Sequence, residues 1–344
     1  MTRRVLIVTH GGRPRAVAAL AEALRELKAA GFEATLHDDA LAEEFGDHMA
    51  ANRVREGVHR SEAVMVLGGD GTILRAAELT RGTDVPLLGV NLGHVGFLAE
   101  SEREDLRAAV QRLAARDYEV EERATVEVTV HLPGTAEPVV GWALNEATVE
   151  KATRDRMLEV AIGVDGRPLL SFGCDGVVMA TATGSTAHAF SGGGPVIWPD
   201  VDAVLMVPLS AHALFARPLV IGPRSRYTVD VLPQSTVEGV LTCDGRREIR
   251  LPRGSRVVVR QGGTVRLARL SNAPFADRLV SKFSLPVSGW RDRVGSGAGS
   301  GAGSGVGSGH AEAQDVPSDP ADIKDPAGTR SGTAEIPPEL PPEN

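Results

Sequence analysis

The sequence predicts an α/β protein with a β-rich second half, and three observations carry that prediction. Short apolar runs at 5–9, Ala63–Leu67 and Leu87–Asn91 alternate with stretches of helical periodicity, the pattern of a parallel sheet flanked by helices. From about residue 119 the texture changes to apolar–polar alternation. Ala124, Val126, Val128 and Val130 fall on one face, and Thr125, Glu127 and Thr129 on the other. Turn signals at Asp165-Gly166, Asp244-Gly245 and Gly262-Gly263 then separate a series of short strands.

In order, a strand at 5–9 leads through a turn at 10–14 into an amphipathic helix at 15–30, ended by Gly31. Residues 34–37 read as a second strand and 40–60 as helix or loop. Ala63–Leu67 is a buried strand, followed at once by Gly68, Gly69, Asp70, Gly71 and Thr72 and then a helix over 72–81. After the strand Leu87–Asn91 comes a second glycine-punctuated loop (Gly93, His94, Val95, Gly96, Phe97, Leu98), then a helix over 102–115. Both glycine loops follow the carboxyl ends of strands, where open α/β sheets bind ligands. The second half carries strands at 123–132, 142–144, Leu158–Val164, 176–181, 203–207, Arg226–Val231, 248–251, 256–260 and 265–270. A closing helix over 273–285 is expected to pack back on the first half. The expected division is a Rossmann-like α/β domain at 1–120, a β-rich β-sandwich domain at 121–272, and the closing helix within 273–293. Residues 294–344, with a GSGAGSGAGSGVGSG repeat and then prolines and acids, cannot bury a core and are expected to form a disordered tail.

A chain of 344 residues, 42% hydrophobic and 24% charged, fits one large or two medium domains. Residues 294–344 hold eight acids against Lys324 and Arg330, so six of the eight net negative charges lie in the tail. The nearly neutral body argues against a nucleic-acid partner. No apolar run approaches the roughly 18 residues of a membrane span. The apolar stretch after Arg3 and Arg4 is too short for a signal peptide. Two cysteines, Cys174 and Cys243, are too few for a disulfide framework, and a cytoplasmic location is expected.

The run from Gly68 to Thr72 carries the clearest chemistry. Glycines let the backbone approach a ligand. A helix N-terminus offers N–H groups and partial positive charge to a phosphate. The Asp70 carboxylate is placed to take a proton from a hydroxyl beside that phosphate. Read alone, the run is also an ordinary turn with Asp70 as an N-cap. No Gly-Lys-Ser/Thr occurs, and no Gly-x-Gly-x-x-Gly follows the first strand, so a nucleotide site here has another design. Scattered His94, His188 and His212 give no zinc spacing, and no protein metal site is expected. Four further clusters stand out: Asn145-Glu146; Cys174-Asp175-Gly176; the hydroxyl-rich stretch from Thr181 to His188; and Ser191-Gly192-Gly193-Gly194-Pro195. Each alone is an ordinary turn or cap.

Together, GGDGT, the GHVGF loop, Asn-Glu, Cys-Asp-Gly and TATGSTAHAFSGGGP, in this order, resemble the NAD kinase family over residues 4–291, nearest its actinobacterial branch. GGDG alone also occurs in diacylglycerol and sphingosine kinases and in phosphofructokinases. The T-x-T-G-S-T-A block with Asn-Glu is what makes the resemblance specific. It implies a two-domain kinase with NAD in the crevice between the domains. The 2′-hydroxyl of the adenosine ribose would be phosphorylated to give NADP. The donor would be ATP or polyphosphate, with Mg²⁺ or another divalent cation on its phosphates, and the protein a homo-oligomer, dimer or tetramer. Asp70 would be the proton acceptor. Asp70, Gly71 and Arg75 would touch NAD, Phe97 would line the adenosine pocket, and Asn145 and Glu146 would bind the dinucleotide. Arg156, Gly173, Asp175, Thr183, Thr186, Ala187, His188, Ala189, Phe190 and Ser191 would complete the binding site. Gly68, Gly69, Gly71 and Thr72 would cradle the donor phosphates. The chemistry agrees, since phosphoryl transfer asks for positioning, charge stabilisation and a carboxylate to accept the hydroxyl proton. An Asn side chain pairs bidentately with adenine, a role suited to Asn145.

The chain departs from the family block T-P-T-G-S-T-A-Y at Ala182 and His188, and carries Arg246 where many members have Gln. Gly173 leaves no side chain two residues before Asp175, an arrangement expected to relax discrimination against NADH. Two other readings compete. A diacylglycerol-type lipid kinase shares the GGDG turn but not the block from Thr183 to Ser191. A non-catalytic dinucleotide sensor would not need Asp70.

Overall fold

In the computed structural model of the chain, the described residues are 2–9, 14–37, 54–92, 96–99, 101–102, 105–270 and 274–287, without the side chains of 54–56 and 101–102. The expected turn at 10–13, most of the 40–60 segment, residues 93–95 of the second glycine loop and the tail 294–344 lie outside the described residues. The first half runs β1 (Arg3–Thr9), α1 (Pro14–Ala29), β2 (Phe32–Leu36), α2 (Val54–Arg60), β3 (Ala63–Leu67), α3 (Asp70–Thr80), β4 (Leu87–Asn91), β5 (Ser101–Glu102) and α4 (Leu106–Ala115). The second half runs β6 (Glu119–His131), β7 (Val139–Ala143), β8 (Glu146–Lys151), β9 (Leu158–Val164), β10 (Arg167–Cys174) and β11 (Gly176–Ala180). A 3₁₀ turn (Gly184–Thr186) and the one-turn helix α5 (His188–Ser191) follow. Then come β12 (Val204–Leu209), β13 (Leu219–Ile221), β14 (Arg226–Val231), β15 (Gly239–Cys243), β16 (Arg247–Leu251), β17 (Arg256–Arg269) and α6 (Phe275–Phe283).

β2, β1, β3 and β4 pair in parallel in that order. Their near-continuous apolar runs reflect burial on both faces. Val5, Ile7, Met65, Leu67, Leu88 and Val90 share a core with α1 and α4, while Leu6, Val8, Val64 and Val66 share another with α3. The sheet continues beyond β4. β17 lies next to it in parallel, with Leu267 beside Leu87, and pairs farther back with β6 and β14 in antiparallel fashion. One 11-stranded sheet therefore crosses both halves of the sequence.

That continuity corrects the expected turn at Gly262-Gly263. β17 is a single strand, and its register against β6 shifts between Gln261 and Thr264, opposite Val126 and Ala124. One extra residue on β17 makes a β-bulge, not a reversal. At the same place the burial of β6 changes phase: Val126, Val128 and Val130 are buried beyond the bulge, Arg123 and Thr125 before it. The sequence alternation had placed Ala124, not Arg123, on the buried face.

The second sheet is antiparallel, in the order β13-β12-β11-β8-β15-β16. Alternate residues of β8, β11 and β15 (Ala147, Val149, Val177, Met179, Leu241) meet those of β6, β9, β14 and β17 (Val128, Val160, Tyr227, Val257) in one core, which makes a sandwich. Asp165-Gly166 forms the two-residue hairpin expected of it, with φ of 51° and 79°. β8 escaped the strand prediction because Glu146 and Thr148, buried in this central strand, break the apolar pattern. Cys174 and Cys243 are free and buried in the sandwich core, where desolvation pushes their thiols up to about 12 and about 11. Among the described residues no helix is long and apolar enough to cross a membrane.

Candidate active site

β3 delivers the chain into Gly68, which donates to the Val90 carbonyl at 3.0 Å, and α3 starts two residues later. Asp70 is not the N-cap. Gly69 holds that position without a side-chain cap, and Asp70 is the first helical residue, where the helix dipole favours its charge. The Asp70 carboxylate accepts N–H bonds from Phe97 and Leu98, each at 3.1 Å. Each oxygen keeps acceptor capacity for another donor. A Cβ at Gly96 would overlap this carboxylate, and one at Gly68 would overlap the Thr72 side chain. At Gly69 and Gly71 nothing among the described residues lies within 4 Å of a Cβ. Arg75 lies on α3, half-buried.

The carbonyls of the same two loop residues face arginines. Arg278 donates to Phe97 O and Arg269 to Leu98 O, both at 3.3 Å. Arg269 pairs with Glu121, which also pairs with Arg123 at 2.9 Å. Arg123 reaches the Thr183 hydroxyl at 3.5 Å, and burial, reinforced by Arg269, pushes its guanidinium down to about 10. Sequence reasoning missed Arg123, Arg269 and Arg278. Only the phase change opposite the bulge marks Arg123.

Asn145 and Glu146 sit where β7 passes into β8, both buried. The Thr181 hydroxyl donates to the Leu144 carbonyl at 2.7 Å and accepts the Gly184 N–H at 3.1 Å, while the Thr181 N–H donates to Asn145 O at 2.9 Å. A Cβ at Gly184 would overlap the Asn145 carbonyl, so the Thr-x-x-Gly turn closes directly on Asn145. Ser185 secures the far side, donating to Ala182 O at 2.6 Å and accepting from Ile197 N at 2.9 Å. Ala182 is buried in an apolar cluster with Ala189 and Ile197, which accounts for an apolar residue at that departure from the family block. The Glu146 carboxyl is pushed up to about 7 by burial and then by Asp244, against an N–H bond from His188. Its Oε2 is buried without a hydrogen-bond partner among the described residues.

Of the sequence-predicted residues, the fold brings Asn145, Glu146, Thr183, Thr186, Ala187, His188, Ala189, Phe190 and Ser191 into one cluster, and Asp70, Gly71 and Phe97 into another. Aromatic rings join the two. Phe283 of α6 stacks on Phe190 at 4.4 Å and meets Phe97 at 5.7 Å, while Phe275 meets Phe97 at 5.8 Å. Arg156, Gly173 and Asp175 are not brought to these clusters. On the β8–β11 ladder Glu146 faces Ala180, whereas Gly176 faces Glu150. Asp175 therefore stands at the opposite end, about 13 Å along the strands. There Lys151 contacts it at 2.5 Å and, by hydrogen bonding, holds its carboxyl below the ordinary range. Arg156 lines a groove of about 780 Å³ at the same end, with Asp155, Glu238, Glu248 and Arg250. Arg246 extends from the β15–β16 hairpin to within 3.9 Å of Glu78 on α3. No group of three or more His, Cys, Asp or Glu among the described residues is placed to hold a metal ion.

An open glycine turn with a carboxylate at a helix N-terminus, linked through Phe97, Phe283 and Phe190 to the cluster that holds a buried Asn-Glu pair, is the geometry of an α/β protein suited to an anionic ligand. Family models refine that class: the ATP-NAD kinase N-terminal domain matches residues 5–118 and its C-terminal domain residues 144–268. The chain belongs to the NAD kinase family. It is 59% identical over 304 residues to an NAD kinase of Leifsonia xyli, covering 85% of this chain and 98% of that one. It is 54% identical over 302 residues to an NAD kinase of Thermobifida fusca, covering 85% and 92%. The fold matches yeast NADH kinase complexed with NADH (TM-score 0.75, 23% identity, 83% of this chain and 89% of that one). It also matches an Archaeoglobus fulgidus NAD kinase in complex with ATP (TM-score 0.64, 23% identity, 82% and 100%).

Proposed function

We propose that the protein transfers the terminal phosphoryl group of ATP to the 2′-hydroxyl of the adenosine ribose of NAD, giving NADP. The observation that carries this reading is the Asp70 carboxylate, held at the start of α3 by two loop amides between glycines whose faces are open. In a chain of this family, that carboxylate is the general base for the ribose hydroxyl. The N–H groups at Gly69 and Gly71 take the donor phosphates; those of Gly68 and Thr72, expected to join them, are spent on Val90 O at 3.0 Å and Gly69 O at 2.9 Å, so these two residues shape the turn instead. Arg75 and Phe97 serve the nucleotide from the first domain, residues 1–120. Asn145, Glu146, Thr183 and the stretch from Thr186 to Ser191 hold ribose and adenine from the second, residues 121–272. From the proposed 273–293 segment, α6 packs on both through Phe275 and Phe283.

A divalent cation fits this site as a passenger of the triphosphate. The described residues offer no three-carboxylate cage, and Mg²⁺ commonly keeps its waters and phosphate oxygens. When bound it neutralises the charge on the transferring phosphate. Polyphosphate, a string of the same groups, suits the same amides as an alternative donor. A homo-oligomer, dimer or tetramer, belongs to the reading because it gives Arg156, Gly173 and Asp175 a route to a second copy's site. The reaction is assigned to the cytoplasm.

The test is purified protein with NAD, ATP and Mg²⁺, NADP being read by an NADP-specific dehydrogenase, with diacylglycerol as a control acceptor. Asp70→Asn is expected to cut turnover by about 10²–10⁴-fold while NAD still binds. Near wild-type turnover in that variant would exclude Asp70 as the base, and phosphorylated diacylglycerol would point to the lipid-kinase reading.

A further inference from the structure

Resting on that reading of the site, we propose that Asp244 is a positioning residue for the acceptor side, which fixes the backbone of Leu144, Asn145 and Glu146 and ties it to the helix that begins with Asp70. The Asp244 side chain is 1% exposed. Its Oδ2 accepts the Leu144 N–H at 3.0 Å and its Oδ1 the Asn145 N–H at 2.8 Å, while its own N–H donates to Glu146 O at 3.0 Å. A residue about one hundred positions downstream thus holds three consecutive residues of the Asn-Glu segment. Arg247 pairs with the same carboxylate at 2.6 Å, lies over the Trp142 ring at 4.6 Å, and comes within 3.6 Å of Glu78. Glu78 is on α3, eight residues after Asp70. The chain of contacts therefore runs from the base's helix through Glu78, Arg247 and Asp244 to Asn145.

The chemistry requires a carboxylate at this position. Both oxygens must accept, and an amide offers one acceptor and one donor. Asp244→Asn would set an NH₂ against one of two buried N–H groups and leave that donor unsatisfied. It would also remove a negative charge beside Glu146. The charged group that acts on Glu146 is Asp244, with Arg247 from the hairpin behind it, and the His188 backbone N–H from α5 bonds it. β11 contributes only apolar residues and glycine.

The experiment compares full-length wild type and Asp244→Asn across about pH 5.5–8.5, measuring KM for NAD and for ATP together with NAD binding by calorimetry. The expected result is a rise of about tenfold in KM and Kd for NAD, with KM for ATP within about twofold. Because Asp244 adds to burial in raising the Glu146 carboxyl, the Glu146 inflection in the NAD profile should move to the acid side in the variant. An unchanged NAD profile overturns the proposal, as does an equal rise in both KM values with the inflection unmoved, the signature of a merely structural role. If Asp244→Asn does not fold, Arg247→Gln leaves the carboxylate in place. It is expected to raise KM for NAD about threefold, and no change there also overturns the proposal. Wild type that binds NAD but forms no NADP removes the proposed activity and leaves calorimetry to decide on Asp244. Wild type that does not bind NAD removes both.

Discussion

Among the described residues nothing lies within 4 Å of where a Cβ would stand at Gly69 or Gly71, whereas a Cβ at Gly184 would overlap the carbonyl of Asn145. The two glycine-bearing stretches of the site therefore use the same residue for opposite ends. In the turn after β3, glycine leaves space outside the protein surface. In the turn after β11, glycine removes space so that two backbones can touch. The carboxylates differ in the same sense. Asp70 is half-buried and held by two N–H groups of one loop. Glu146 is buried, with one oxygen unpartnered among the described residues and Asp244 close by. The first region keeps faces available to a ligand, and the second is closed by internal bonds before any ligand arrives.

The largest expected effect follows from the closed region. Gly184→Ala forces a methyl into backbone atoms on a buried turn that also anchors Thr181 and Ser185. We expect a loss of about 4 kcal/mol or failure to fold, measured by chemical denaturation. Wild-type stability in this variant would erase the distinction between the two stretches.

Glu146 supplies the next effect, with a defined sign in pH. Its carboxyl is raised from 4.5 to about 7, first by burial and then by Asp244. A raised folded-state value means that its stabilising contribution is complete below about pH 4.5 and is lost as pH rises through about 7. Glu146→Gln stays neutral throughout. The variant is therefore expected to match wild type near pH 4.5 and to exceed it at pH 8 by up to about 3 kcal/mol. It should bind NAD more weakly. Parallel denaturation midpoints for the two proteins across this range would show that Glu146 is not held against its charge.

Much of this arrangement was legible in the sequence, for physical reasons. Strands buried on both faces read as apolar runs, so β1, β3 and β4 were found nearly to the residue. Asp-Gly announced the β9–β10 hairpin because both residues need positive φ there. The glycine-aspartate turn was visible because its chemistry is local. Asp244, Arg247 and Arg123 were not visible as site residues, since their importance comes from partners far away in the chain: Asp244 acts on Leu144 and Asn145, and Arg123 on Thr183. β8 was hidden for the same reason, because Glu146 and Thr148 are polar residues that only tertiary neighbours make buried. Gly262-Gly263 was misread because a bulge and a reversal share a local signal, and only the partner strand β6 distinguishes them.

The smallest expected effect on stability belongs to Gly71→Ala, and it tests the open region most directly. Gly71 is exposed on the first turn of α3, outside the positive-φ residues, with no neighbour near its Cβ position. A methyl there meets nothing among the described residues, and alanine favours the helical conformation over glycine by about 0.5–1 kcal/mol in a helix interior. The midpoint of unfolding should stay put or rise slightly. On the proposed reading, the same methyl stands where donor phosphate and ribose approach the N–H groups, so kcat/KM should fall by about a hundredfold, equivalent to about 2.7 kcal/mol of lost transition-state stabilisation. A variant that keeps both stability and kcat/KM would mean that the open face of Gly71 is not the approach to the reacting groups. Lost stability would mean that the fold uses this glycine after all, as it uses Gly184.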